Sequence, residues 1–257
     1  RTVQDVFGAD AWATMPTHAP SWIKTVTIPA PSAKRDVAYT VCNDAASLAW
    51  LGNQAALEFH PAPVRRDRLE RRDFLVVDID PPDDAFDAAV EVAFLVLEVL
   101  DDLGMTTLVK TTGGKGLHIV VPIERHVSAE RLRQAATRLT TIVTERRPDL
   151  VTSEFRKAGR KGRVMLDPSR NGTGATIVAP YSPRARADTH HEARASLAPA
   201  GRRALREAGR SHRPPRVRQQ GPQAGVPRGR GRGEARGYPR DLRAAAVEML
   251  PRRRRGG

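Results

Sequence analysis

The chain has 257 residues, 40% of them hydrophobic, and a formal net charge of +14, enough for one large domain or two small ones. A single cysteine, Cys42, excludes an intramolecular disulfide and a cysteine-built zinc site. No long apolar run offers a membrane span, and no basic-then-apolar signal peptide opens the chain.

These exclusions predict a cytosolic protein with no membrane partner. The charge is uneven: residues 185–257 hold 19 Arg, no Lys and 6 acidic side chains, against 24 basic and 23 acidic ones in residues 1–184. The basic average belongs to the tail, and does not by itself make the body a nucleic-acid binder.

Residues 1–20 are weakly patterned. Trp22 to Ile28 alternates and predicts a strand ended by Pro29, and Val37 to Cys42 predicts a second, with Cys42 a core residue. Asn43-Asp44 can cap a helix running to about Glu58, with Leu48, Leu51, Ala55 and Leu57 on its apolar side. His60 follows, and Arg65 to Arg72 reads as a charged connector.

Phe74 to Asp80 is the central strand, stopped by Pro81-Pro82. Ala85 to Leu103 predicts a long helix ended by Gly104. Thr106 to Lys110 predicts a short strand, which enters Thr111-Thr112-Gly113-Gly114-Lys115-Gly116, and Leu117 to Val121 predicts the next. Ser128 and Glu130 open a helix to about Glu145. After a basic stretch, Val164 to Asp167 predicts a strand, with an Asn171-Gly172 turn and Ala175 to Ala179 as its hairpin partner. Hairpins mixed with crossover helices predict an α/β (α+β) fold, a mixed sheet flanked by helices.

Asp78 and Asp80 are spaced i, i+2 and point the same way from the sheet. Two like charges on one face are costly without a cation between them, and Mg²⁺ or Mn²⁺ prefers such oxygens. The bland alternative is a strand end with two solvated acids. Asp167 ends another strand and could complete a two-metal phosphoryl-transfer site. Thr111 to Gly116 has no Walker sequence, yet its backbone N–H groups and Lys115 could surround phosphate oxygens, or form a tight hairpin with a solvated Lys. His118 could be structural or face the same site. Lys157, Arg160, Lys161, Arg163 and Arg184 could neutralise phosphates or be a solvated face.

Together the ordered motifs resemble a known family. They are Asn43 to Trp50 (NDAASLAW), Ala56 to His60 (ALEFH), VVDIDP, Lys110 to His118 (KTTGGKGLH), Arg163 to Asp167 (RVMLD) and Ala179 to Arg184 (APYSPR). The set is similar to the polymerase domain of bacterial DNA ligase D, of the archaeo-eukaryotic primase superfamily, from about Met15 to Arg184. The resemblance implies a nucleotidyltransferase of bacterial non-homologous end joining, which adds NTPs or dNTPs to a 3′-hydroxyl at a DNA break or gap with Mn²⁺ or Mg²⁺. It implies Asp78, Asp80 and Asp167 as catalytic metal ligands, Asp167 nearest the primer hydroxyl. Thr112, Lys115, Gly116 and His118 would hold the triphosphate, with Arg184 on its other side. His60 would contact the nucleotide sugar, Lys157 and Arg160 the sugar or primer, and Asn43 would lie towards the template. The implied partners are duplex DNA ends or gaps with a 5′-phosphate, ligase and phosphoesterase modules, and a Ku-like end-binding protein at the nucleoid.

The sequence departs from the family in three places. Thr112 stands where the family usually has Ser, which keeps the hydroxyl. An N-terminal region that grips the 5′-phosphate is missing or divergent in residues 1–20. After Arg186 an Arg-rich, low-complexity tail replaces a patterned segment, as translation of a GC-rich gene in a shifted frame would produce. Residues 21–184 are therefore expected to be the polymerase core, and 185–257 a disordered tail or a nucleic-acid-binding arm. The rival function is a catalytically weak DNA-binding or scaffolding remnant. A phosphoesterase using the same acids is disfavoured by the triphosphate-type loop.

Overall fold

The computed structural model describes residues 19–30, 35–56, 58–82, 85–184, 195–199 and 238–249. Strands β1 (Thr25–Ala30) and β2 (Arg35–Thr40) form an antiparallel pair. Helix α1 (Ala45–Asn53) follows, capped by Asp44, whose carboxylate accepts from the Ser47 N–H at 2.7 Å. It stops short of the expected end: Ala55 has φ 59°, which breaks the helix, and Leu57 lies outside the described residues. Cys42 is half-buried against the small cluster of Leu51 and Ala56.

Arg65 to Arg72 is not a loose connector but a hairpin, β3 (Val64–Arg65) with β4 (Arg68–Arg72). Its charge pattern hid this because its last residue, Arg72, is buried and donates to the backbone carbonyls of Arg170 and Gly172.

The main sheet holds β5 (Phe74–Asp80), β6 (Leu108–Thr111), β7 (Leu117–Pro122), β8 (Val151–Thr152), β9 (Val164–Asp167) and β10 (Ala195–Pro199). Their order is β10-β6-β7-β5-β9-β8, antiparallel except for the parallel β8/β9 edge. Along β5 the residues alternate: Leu75, Val77 and Ile79 enter the main core, so Val76, Asp78 and Asp80 fall on the other face.

Helices α2 (Phe86–Asp102) and α3 (Ala129–Arg146) cover the first face. They bury Val92, Val96, Leu97, Val99 and Leu100, and Leu132, Ala136, Leu139 and Val143, at the spacing that puts side chains on one helical face. Ser128 caps α3, as its sequence predicts. A short helix α4 (Lys157–Arg160) sits between β8 and β9. No helix among the described residues is long and apolar enough to cross a membrane.

Ala175 to Ala179 is not the hairpin partner of β9. The Asp167 carboxylate caps a 3₁₀ turn, Pro168–Asn171, by accepting from the Ser169 N–H at 2.8 Å. Asn171 is fully buried and bonds both the N–H and the C=O of Val76, at 2.8 and 2.7 Å. Those bonds hold the chain across the sheet face, where the Ile177 and Ala179 N–H groups donate to the carbonyls of Pro61 and Phe59.

Most of residues 185–257 and nearly all of 1–20 lie outside the described residues. Two stretches of the Arg-rich tail are nevertheless ordered elements. β10 pairs with β6, and α5 (Arg240–Met249) packs on α3 through Leu242, Ala246 and Met249. The Tyr238 hydroxyl donates to Asp102 at 2.6 Å and accepts from Arg146 at 2.7 Å, and Glu248 pairs with Arg131. A few apolar residues at helical spacing, hidden in a basic average, are enough when α3 offers an apolar face.

Candidate active site

The central pairing of the sheet builds the site. In register, Asp78 of β5 stands opposite His118 of β7 on one side and Asp167 of β9 on the other. Asp80, two residues on, shares the face of Asp78 and lines the same cavity, of about 790 Å³. This cavity gathers ten of the twelve residues to which the family resemblance gives a role, His60, Asp78, Asp80, Thr112, Lys115, Gly116, His118, Lys157, Arg160 and Arg184; Lys161 and Arg163 do not line it.

Asp167 is buried behind the lining, against Arg170. Asn43 is elsewhere: it is exposed, at a second groove with Tyr39 and Arg65.

The loop between β6 and β7 is closed by one hydroxyl. Thr112 Oγ1 accepts from the N–H groups of Gly114 and Gly116 and donates to the Gly116 carbonyl. Gly113 takes φ 69°, a conformation that favours glycine. Gly116 lies so close to β5 that a Cβ there would run into the Ile79 carbonyl oxygen.

Three charged residues absent from the sequence-level set complete the site. Arg170 places Nε 2.9 Å from Asp78 Oδ2 and 3.5 Å from Asp167 Oδ2. Its signal was positional: it is the third residue after Asp167 in a proline-opened turn, which folds it back on the acid. Lys110, buried within β6, lies opposite His118. Glu58 accepts from His60 Nε2 at 2.9 Å and lies 3.6 Å from Arg184 Nη1. The i, i+2 spacing of Glu58 and His60 along extended chain was the available clue.

Burial pushes the Asp78 carboxyl up, but His118 and Arg170 outweigh it and hold it at about 2. Burial and Lys110 push the His118 imidazole below its usual range despite Asp78. His118 and Arg170 both lie against the Asp78 carboxylate, at 3.2 and 2.9 Å. His118 Nδ1 is buried with no hydrogen-bond partner among the described residues. Asp80 is driven the other way, up to about 6, by burial and by Asp78 and Asp167. Burial brings the Lys110 ammonium down to about 7.

The carboxylates of Asp78, Asp80 and Asp167 are oxygen donors of the kind a hard divalent cation takes. Among the described residues no three His, Cys, Asp or Glu side chains stand at metal-binding spacing; the Arg170 guanidinium lies against Asp78 and Asp167 instead.

A family model described as LigD, primase-polymerase domain, matches residues 6–191. The chain belongs to the LigD primase-polymerase family. It is 34% identical over 185 residues to the multifunctional non-homologous end joining DNA repair protein LigD of Mycobacterium tuberculosis, covering 65% of this chain and 23% of that protein. It is also 34% identical over 171 residues to the bifunctional non-homologous end joining protein LigD of Bacillus subtilis, covering 63% and 28%. The chain thus spans about a quarter of the length of these LigD relatives. Among solved structures it is similar to the polymerase domain of Mycobacterium tuberculosis ligase D in complex with DNA. That match has TM-score 0.64 and 30% identity, covering 76% of this chain and 74% of that one. The primase-polymerase architecture expected from the LigD-like motifs is therefore the fold of this chain.

Proposed function

We propose that this chain is a template-dependent nucleotidyltransferase that adds NTPs or dNTPs to a 3′-hydroxyl at DNA breaks or gaps in bacterial non-homologous end joining. The observation that carries the reading is the convergence on one cavity of Asp78 and Asp80 with the Thr112–Gly116 loop, Lys115, His118, Lys157, Arg160 and Arg184. Acids on one wall and cations with backbone donors on the others suit a nucleoside triphosphate with its reacting phosphorus near the acids.

In this reading Thr112 shapes the loop so that Gly116 and Lys115 meet the triphosphate, and Arg184 neutralises it from the opposite side. His118 Nδ1, without a partner among the described residues, donates to a phosphate oxygen once the ring takes up a second proton. His60 meets the nucleotide sugar, and Lys157 and Arg160 the primer or sugar. Asn43, outside the cavity, is left to the template side. Mn²⁺ or Mg²⁺ held by Asp78, Asp80 and Asp167 would supply charge neutralisation and a lowered pKa of the primer hydroxyl. Attack of that hydroxyl on the α-phosphorus forms the new ester bond and releases pyrophosphate. Duplex ends with a 5′-phosphate, ligase and phosphoesterase modules and a Ku-like protein are the partners this role calls for, in a bacterial cytoplasm beside the nucleoid.

Primer extension on a gapped, 5′-phosphorylated duplex with Mn²⁺ and each NTP or dNTP tests the reading. Extension by the parent, abolished in Asp78→Ala, supports it; a folded parent that extends nothing refutes it. The rival, a DNA-binding remnant, is favoured by the contact of Arg170 with two of the acids. Replacing residues 200–237, between β10 and α5, by a Gly/Ser linker separates the two: the remnant loses most of its salt-sensitive DNA affinity, whereas the polymerase still incorporates nucleotide.

A further inference from the structure

Glu58 is a buried acid to which the roles above give no task. The residue is 6% exposed, and a carboxylate so placed is costly unless charged or hydrogen-bonding partners surround it. Its partners are two cavity residues from distant parts of the chain, His60 at 2.9 Å and Arg184 at 3.6 Å.

The backbone around this pair is fastened. The Phe59 N–H donates to Ser182 Oγ at 2.8 Å, the Phe59 carbonyl accepts from the Ala179 N–H at 2.8 Å, and the Pro61 carbonyl accepts from the Ile177 N–H at 3.2 Å. Glu58 therefore sits at the seam where the His60 and Arg184 segments are joined, next to Phe59, which makes the links to Ala179 and Ser182.

Bond direction then constrains chemistry. A carboxylate only accepts, so the proton of the His60 ring must be on Nε2. Burial holds the imidazole below its usual range, against the pull of Glu58, so at neutral pH the ring carries one proton. Nδ1 is then the acceptor nitrogen of the ring.

We propose that Glu58 is a positioning residue that fixes the His60 tautomer, so that Nδ1 accepts from a hydroxyl of the nucleotide sugar, and that anchors the Arg184 guanidinium on the same side of the cavity. The proposal rests on the assignment of His60 to the sugar and Arg184 to the triphosphate. One acid thereby couples recognition of the sugar to recognition of the phosphates.

The test uses the full chain with Mn²⁺, a gapped duplex and ATP. Glu58→Ala raises the KM for ATP about ten- to a hundred-fold, the loss expected of a charge-assisted bond, with a smaller change in kcat. Glu58→Gln, which fills the same space and can still accept through its amide oxygen, recovers part of the loss and serves if the alanine variant fails to fold. In a His60→Ala background the same change costs less, because part of its target is gone. Ring ¹⁵N NMR of the parent shows His60 as the Nε2–H tautomer, lost in Glu58→Ala. An unchanged KM in a folded Glu58→Ala protein, full additivity with His60→Ala, or an Nδ1–H tautomer in the parent would overturn the proposal. If the parent adds no nucleotide at all, the polymerase reading fails separately and the ring tautomer alone decides the role of Glu58: Nε2–H supports it and Nδ1–H overturns it.

Discussion

Replacing Asp80 by Asn stabilises the metal-free protein at neutral pH. Burial, with Asp78 and Asp167 nearby, pushes the Asp80 carboxyl from 3.8 up to about 6. The folded state therefore holds the proton more tightly than the unfolded chain, and stability falls as pH rises from about 4 to about 6. Two pH units correspond to about 3 kcal/mol, and solvent at the cavity mouth trims this to about 1–3 kcal/mol. Asparagine carries no charge to repel. Asp80→Asn should thus be more stable than the parent by that amount at pH 7 and close to equal near pH 4.

Urea unfolding in the presence of a chelator measures the gap. Mn²⁺ then closes or reverses the gap: a cation at a hundred times its Kd adds about 2.7 kcal/mol to the parent and little to the variant. A variant no more stable than the parent at pH 7, or a gap that ignores pH, would refute the electrostatic argument. A metal that stabilises both proteins equally would refute the assignment of Asp80 as a ligand.

Gly116→Ala forces a methyl group against the Ile79 backbone, so it should cost about 1–3 kcal/mol in urea unfolding and open the Thr112–Gly116 loop. Primer extension should show a raised nucleotide KM, whereas an unchanged KM would mean that the loop does not hold the triphosphate. Asn171→Ala leaves the N–H and C=O of Val76 buried without partners, a loss of about 2–4 kcal/mol by the same unfolding measurement. A loss below about 0.5 kcal/mol, the net worth of one weak hydrogen bond, would show that water replaces the amide.

The parts of the fold legible in the sequence were those governed by local rules. Asp44 and Ser128 cap the helices they precede, and the apolar spacing of α2 and α3 matches their buried faces. The site was legible because strand alternation alone puts Asp78 and Asp80 on one face. Long-range partners were not. Asn171-Gly172 has the composition of a hairpin turn, and only the distant Val76 backbone makes the Asn a cross-sheet tie instead. Arg72 looks like one more solvated cation until the carbonyls of Arg170 and Gly172 are beside it. In α5 the decisive residues, Leu242, Ala246 and Met249, are too few to stand out from a basic average, and their value depends on the face of α3 that receives them.

The pairing of Asp78 with Asp167 across adjacent antiparallel strands makes the acid separation a property of backbone hydrogen bonds, about 4.8 Å from strand to strand. The cations have no such common origin: Lys115 and Arg184 come from loops, Arg170 from a 3₁₀ turn and Lys157 from the short helix α4. Changes in those segments leave the spacing of the acids untouched, whereas a one-residue slip between β5 and β9 would separate Asp78 from Asp167 whatever the loops held in place.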